Sequence, residues 1–295
     1  MTRNIFSTLA LLTLALWLGA PSAAIAAESY DSCTGFITTL PVVIASPGNW
    51  CLKQDIATAI STGNAIDIQA DNVSIDCNDF KIGGLAAGLA TQTNGIYLNH
   101  HLNATIRRCN IRGFYRGLDF ETNGLPLTFK GGHLVEDNRF DGNTFVGIAV
   151  SGDDSVVRRN QVLNTGGSTA SAFAAGIITG NEVDVLDNTV SGVSARSGGN
   201  GSVIGIDMIN RDGSVSGNRV RGLLKDGTGK ITGIANDLVS GTLVMRNNVL
   251  VGDGTTGSIG LKCSTANGRA KNNTINGFVS GLSSCSDDGG NVTAP

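Results

Sequence analysis

The sequence predicts an all-β fold: a single-stranded right-handed parallel β-helix, a solenoid of about eight to nine coils with a short N-terminal capping helix. Three observations predict it. A six-residue motif recurs along the chain, a glycine–aliphatic pair recurs in step with it, and the segments between them are short, β-branched and alternating.

The motif is apolar-x-x-Asn-x-apolar. It reads Ile75-Asp-Cys-Asn78-Asp-Phe80, Val135-Glu-Asp-Asn138-Arg-Phe140, Val157-Arg-Arg-Asn160-Gln-Val162 and Val185-Leu-Asp-Asn188-Thr-Val190. It continues as Val215-Ser-Gly-Asn218-Arg-Val220, Val244-Met-Arg-Asn247-Asn-Val249 and Ala270-Lys-Asn-Asn273-Thr-Ile275, and Ile106-Arg-Arg-Cys109-Asn-Ile111 carries cysteine in place of asparagine. Seven steps from Asn78 to Asn273 give a mean period of about 28 residues, a solenoid spacing. The second marker falls at Gly95-Ile96, Gly117-Leu118, Gly147-Ile148, Gly176-Ile177, Gly205-Ile206, Gly233-Ile234, Gly260-Leu261 and Gly281-Leu282.

Pairs such as Ile96-x-Leu98, Leu118-x-Phe120, Ile148-x-Val150 and Ile206-x-Met208 alternate with period two, so each coil is read as short strands joined by turns. Equivalent strands of successive coils then lie ~4.8 Å apart in parallel. The repeated asparagine suits a bend, because it tolerates left-handed backbone and bonds nearby main chain. Asp55 to Gly63 reads as the capping helix: Asp55 is its N-cap, Ile56, Ala59 and Ile60 share one face, and Gly63 stops it.

Met1 to Ala27 reads as an export signal, with Arg3 as its positive start, an apolar run from Leu9 to Leu18 and a small-x-small cleavage site at Ala24-Ile25-Ala26. That run is shorter than the ~20 residues of a membrane span, and no later stretch qualifies. Residues 28–295 form one β-helix domain with its cap in about 28–65, secreted or periplasmic. The whole chain carries a net charge of −3, and without Arg3 the exported part stands at −4, which excludes a basic nucleic-acid footprint. With 41 glycines against 5 prolines, the composition argues for many tight turns in an ordered chain.

All six cysteines lie in the exported part, so disulfides are the default. None shows the C-x-x-C spacing of a zinc site. Cys33 and Cys51 flank the cap and most simply bond each other, while Cys77 with Cys109 and Cys263 with Cys285 fall in adjacent coils. In motif register Cys77 aligns with Arg108, so its bond to Cys109 needs a local offset at the turn. Stacking also makes charges alternate from coil to coil. One position runs Asp76, Arg107, Glu136, Arg158, and the next runs Cys77, Arg108, Asp137, Arg159, Asp187. Such lateral ladders explain the Arg-Arg pairs better than a grip on a polyanion does.

Trp50-Cys-Leu-Lys-Gln-Asp55-Ile, Ala65-Ile-Asp-Ile68 and Asn72-Val-Ser-Ile75-Asp-Cys-Asn78 resemble the opening coils of right-handed parallel β-helix repeat proteins of the pectin-lyase-like superfamily, including its NosD-like and carbohydrate-active branches. The Asn-x-apolar-x-Gly turns continue the resemblance to about Gly281. It implies the fold closely and the function loosely, since lyases, hydrolases, epimerases, tailspikes and adhesins share it.

Enzymes of this type place acids on an outward strand face. Counting from the glycine marker, that face holds Tyr97, Asn99 and His101, then Asp119, Glu121 and Asn123, then Ala149, Ser151 and Asp153. Asp119 and Glu121, two apart on one strand, stand roughly 6–7 Å apart by strand rise, within the range that carboxylate pairs use in glycoside hydrolysis. Asp119, Glu121 and Asp153 are therefore the candidate catalytic acids. The same acids could instead hold Ca²⁺, and a lyase would need a base such as His101 or Arg116. Asp207 lies three coils from Asp119, about 14 Å at strand spacing, too far to cooperate. Gly152-Asp153-Asp154 is similar to the paired aspartates of the polygalacturonase branch. The Gly-His-Gly and Arg-x-Lys elements that should follow are missing, and Gly131-Gly132-His133 comes before the aspartates. His100 and His101, neighbours on a strand, point to opposite faces and share no metal readily.

Binding without chemistry is the second reading. It would use Tyr97, Asn99, His101, Asn123 and Tyr115 as contacts, with Tyr97 and Tyr115 the exposed rings, since Phe80, Phe120 and Phe140 fall at inward positions. The third reading is a structural or adhesive surface protein, which suits the glycine- and small-residue-rich segments 122–132, 166–175 and 195–202. Polysaccharide interaction, by binding or by cleavage, ranks first.

Overall fold

The computed structural model describes residues 30–121, 130–210, 212–238, 242–264 and 268–295; the segment read as an export signal and Asn123 lie outside them. The chain winds into three parallel sheets of eleven, ten and ten strands. Each full coil contributes one strand to each sheet. The motif sheet takes the first half of the motif, from Val73–Asp76 through Thr105–Arg107 and Leu134–Glu136 to Gly268–Lys271. A third sheet takes the second half, for example Asn110–Arg112, Arg139–Asp141 and Gln161–Leu163. The glycine sheet holds the second marker, in Asn94–Asn99, Arg116–Glu121, Val146–Ser151, Ala174–Gly180 and Val203–Asn210. Eight coils carry the motif, as expected, and strands at Gly35–Phe36, Gly48–Cys51 and Ser286–Asp287 extend the motif sheet beyond them.

The core follows from stacking like on like. Ile75, Ile106, Val135, Val157, Val185, Val215, Met245 and Ala270 form one fully buried row, and Ile82, Ile111, Phe140, Val162, Val190, Val220, Leu250 and Ile275 form another. Burial of each large aliphatic side chain contributes about 1.5–3 kcal/mol, and short strands of three residues hold because every one is covered by the next.

Asparagines line the turn between these two sheets. Asn138, Asn160, Asn188, Asn218, Asn248, Asn273 and Asn291 pass hydrogen bonds from coil to coil: the Asn160 Nδ2 donates to Asn188 Oδ1 at 3.0 Å, and Asn188 Nδ2 to Asn218 Oδ1 at 3.0 Å. The left-handed residue is not the asparagine but the one before it: Asp137, Arg159, Asp187, Gly217, Asn247 and Asn272 have φ of 56°, 53°, 55°, 73°, 55° and 54°. That bend turns the next side chain inward, where its amide satisfies main chain that no water reaches. In the coil of Asn247 the sequence register is therefore one residue off. Met245 stacks on Val215, and Asn248 occupies the ladder.

The coil of Cys77 also departs from the motif. Between Asp76 and Lys81 its turn has four residues where the next coil, between Arg107 and Asn110, has two. Asn78 and Asp79 take φ of 48° and 65°, and this is the offset that lets Cys77 reach Cys109, with Cα atoms 4.7 Å apart. Phe80, expected inward, is only half-buried because Ile82 takes the core position. The other expected pairs, Cys33–Cys51 and Cys263–Cys285, are also bonded. Three disulfides point to folding in an oxidising compartment outside the cytoplasm. Among the described residues no helix is long and apolar enough to cross a membrane.

The capping helix is absent. Ile56–Ala57 is instead a two-residue strand paired with Lys81–Gly83, and the Asp55 carboxylate accepts hydrogen bonds from the Lys81 backbone N and Nζ, both at 2.9 Å. A nine-residue helix is marginal alone, whereas Ile56 in a strand stacks on Ile82. Only a short 3₁₀ turn, Leu85–Ala87, is helical among the described residues.

The charge ladders are present. Arg107 and Arg108 both bind Asp76, at 2.9 and 2.5 Å, and Arg158 and Arg159 both bind Glu136 at 2.7 Å, with Arg159 also 2.7 Å from Asp137. Asp76 is buried, and against that desolvation Arg108, the Asn78 backbone N–H and Arg107 together hold its carboxyl below the usual range.

The glycine marker has a steric cause. A Cβ on Gly205 would lie 2.4 Å from Val220 Cγ1 and 2.5 Å from the Gly233 carbonyl oxygen, and Gly147, Gly176, Gly233 and Gly260 are equally confined, each against the next glycine's carbonyl. The glycine sheet and the facing strand of the third sheet approach too closely for any side chain there. Gly205→Ala is expected to destabilise by about 3 kcal/mol, an overpacking cost, measured as a lowered urea midpoint; an unchanged midpoint would show that the coil relaxes freely.

Candidate functional site

The glycine sheet turns its alternate residues away from the core, and register places them in rows across the coils. One row runs Asp67, Tyr97, Asp119, Ala149, Ile178, Asp207, Ala235 and Lys262. A second row pairs Asn99 with Glu121. A shallow depression of about 150 Å³ opens over Asp119, Glu121, Ala149, Ser151, Ile178, Gly180 and Ile209.

Asp119 sits at one end of it and is only 3% exposed. Arg116, three residues back on the same strand, donates from Nη1 to Asp119 Oδ2 at 3.1 Å. Burial nonetheless raises the Asp119 carboxyl to about 6; Arg116 pulls it down and Glu121 pushes it up. The Tyr97 hydroxyl donates to Glu121 Oε2 at 3.4 Å. Burial, with Glu121 and Asp119 beside it, pushes that phenol up to about 12, so it remains a donor. A protonatable acid and a second carboxylate line the depression, with a guanidinium bonded to the first and a phenol to the second. Chemically this arrangement can donate a proton, accept one and hydrogen-bond hydroxyl groups.

Beside it lies an aromatic strip that periodicity alone did not reveal. Tyr115 stacks on Phe145 with centroids 4.5 Å apart and planes 15° apart, and Phe173 meets Phe145 edge-on at 6.0 Å. The Arg116 guanidinium lies 5.6 Å from the Tyr115 ring and 5.3 Å from that of Phe145. All three rings sit just before glycine-sheet strands of successive coils, and an aromatic at that recurring place was the available signal.

The other expected members lie elsewhere. The strand ends at Asn99, and His100, at φ 62°, turns the chain, so His100 and His101 are not strand neighbours and His101 Nδ1 pairs with Asp71 Oδ1 at 3.0 Å. Asp153 follows a turn at Gly152, and its carbonyl accepts from the Gly131 and Gly132 backbone, both at 3.0 Å; it does not line the depression. His133 is buried against Phe120, centroids 5.0 Å apart, and burial lowers its pKa to about 4, which makes it a core group. Asn123 lies outside the described residues. Asp207 is three coils from Asp119, as expected. Arg116 is paired with Asp119, and no group of three His, Cys, Asp or Glu side chains converges among the described residues.

Fold and site together define a parallel β-solenoid whose glycine sheet carries acids among apolar residues on its outer face. The chain belongs to the right-handed β-helix family, whose model, described as a right handed beta helix region, matches residues 57–205. No curated protein matches it in sequence. Among solved structures it is similar to the A-module of mannuronan C-5 epimerase AlgE6 from Azotobacter vinelandii, with 11% identity, 88% of this chain and 90% of that one covered, and a TM-score of 0.46. It is also similar to the Dettilon tailspike protein, with 16% identity, 87% of this chain and 56% of that one covered, and a TM-score of 0.47.

Proposed function

We propose that this exported protein binds an extended polysaccharide across the glycine sheet and hydrolyses it, with Asp119 as general acid and Glu121 as general base. The observation that carries the reading is the buried Asp119 carboxyl, raised to about 6, two residues from a second carboxylate in an open depression. At pH 5 to 6 Asp119 holds a proton that it can give to a glycosidic oxygen, while Glu121 takes one from water attacking the anomeric carbon. A separation of roughly 6–7 Å by strand rise is close to the spacing of inverting enzymes. Tyr97 hydrogen-bonds sugar hydroxyls, and the Tyr115–Phe145 strip offers its edge to their apolar faces.

The test is incubation of the exported chain with neutral and acidic polysaccharides, with and without calcium, reading new reducing ends and the absorbance of unsaturated uronate. Hydrolysis should decline above about pH 6 as Asp119 deprotonates, and Asp119→Asn should lower kcat by about 10²-fold or more. Unsaturated product would replace hydrolysis by elimination. Binding without products would leave a lectin-like or adhesive role, and neither binding nor products from a folded chain would sink the proposal.

A further inference from the structure

Asp207 lies on the same outward row as Asp119, three coils along. It is only 8% exposed, and its Oδ1 has no hydrogen-bond partner. The reason is local: its row neighbours on either side are Ile178 and Ala235, which offer no donor. An unpaired buried carboxylate oxygen costs more than a surface one, so a donor from outside the chain would relieve it.

The surroundings suggest which donor. Ile209, two residues along the same strand, lines the far end of the depression that begins at Asp119 and Glu121, so the two acids border one continuous surface. Asp237, paired in register with Ile209, accepts from Lys262 Nζ at 2.8 Å, with Lys262 reaching over Ala235. On this face Asp67, Asp119, Glu121, Asp207 and Asp237 outnumber Arg116 and Lys262, and the face is clearly anionic once Asp119 and Asp207 have lost their protons, above about pH 7. It would repel a uronate chain and accept hydroxyl or ammonium donors.

We infer that Asp207, with the Asp237–Lys262 pair, forms a second sugar-contacting site for the same chain bound at Asp119, and that the glycan is a neutral or amino-sugar polymer running along the helix axis. This rests on the carbohydrate reading above. The two sites stand about 14 Å apart at strand spacing, so only a chain of several sugars touches both. A sugar hydroxyl or ammonium donates to Asp207 Oδ1, and Lys262 donates to a ring or hydroxyl oxygen nearby.

The experiment is calorimetric titration of the exported chain with the hexamer and the dimer of β-1,4-linked glucose, β-1,4-linked glucosamine and α-1,4-linked galacturonate. A glucose or glucosamine hexamer should bind more tightly than its dimer, and Asp207→Asn should cut that hexamer-over-dimer advantage by about tenfold, the loss of one charged hydrogen bond. Lys262→Met should cut it as well. An advantage that persists in both folded variants overturns the second site while leaving the Asp119 reading in place. Tightest binding of the galacturonate hexamer, strengthened by Asp207→Asn, overturns the assignment to neutral or amino sugars. No binding of any oligomer by the unmodified chain sinks the carbohydrate reading itself, and this site with it.

Discussion

Asn188→Ala is expected to destabilise the protein by more than 3 kcal/mol, since it strips three buried groups of their partners at about 1–3 kcal/mol each. The Asn188 Oδ1 accepts from the Asn160 backbone at 2.9 Å and from Asn160 Nδ2 at 3.0 Å, and its Nδ2 donates to the Val157 carbonyl at 2.9 Å. Asn188 is 1% exposed, so water does not replace it. Because the amides polarise one another along the stack, the loss spreads to Asn138 and Asn218. Urea denaturation of the variant should show a large fall in midpoint. Asn188→Asp keeps the acceptor but sets an oxygen against the Val157 carbonyl and Asn218 Oδ1, and should be no more stable than Asn188→Ala. A change under 1 kcal/mol for Asn188→Ala would mean that the ladder decorates a core held by its aliphatic rows alone.

Asp207→Asn should do the opposite, gaining stability relative to the parent as pH rises. Burial, with Asp237 adding repulsion and Lys262 opposing it, pushes the Asp207 carboxyl up to about 7, against an ordinary value of 3.8. The folded chain therefore holds a proton that the unfolded chain has released between those values. Its contribution to stability is intact below pH 4 and lost as pH rises through 7, amounting to about 4 kcal/mol at most. The asparagine variant does not titrate. The difference in unfolding free energy between variant and parent should grow in its favour from pH 4 to pH 8, while His133, common to both, cancels. A difference independent of pH would show that Asp207 is solvated or paired in solution, and would remove the unpaired carboxylate on which the second site depends.

These two acids illustrate how a solenoid spends stability on a surface. Asp119 and Asp207 stand on a row whose members next to them, Tyr97, Ala149, Ile178 and Ala235, leave them little solvation. The Asn ladder and the stacked aliphatic rows hold the coils rigid beneath. Rigidity under a strained polar face is the arrangement that a binding or catalytic site needs.

The amino-acid sequence by itself determined the coil. The Asn motif and the Gly-Ile pair recur because every coil must fit on the last, so a steric demand at Gly205 and a hydrogen-bond demand at Asn188 are written at a fixed period and can be read without coordinates. It also determined the three disulfides and the alternating charge ladders, since stacking turns a spacing of one coil into contact. The pairing of Tyr97 with Asp119 and of Asn99 with Glu121 followed from the same count.

Tertiary structure alone decided what breaks the period. The two extra residues in the turn after Asp76, the shift of the ladder to Asn248 and the turn at His100 each depend on which backbone bend lets a neighbouring coil close its hydrogen bonds. Ile56 became a strand residue in place of a helix residue because Ile82 was there to receive it. The burial that raises Asp119 and Asp207, and the strip of Tyr115, Phe145 and Phe173, likewise belong to the packed molecule. Repetition is a local rule and shows in the sequence; solvation and the exceptions to the repeat are set by neighbours one coil away, and only the fold brings those neighbours into contact.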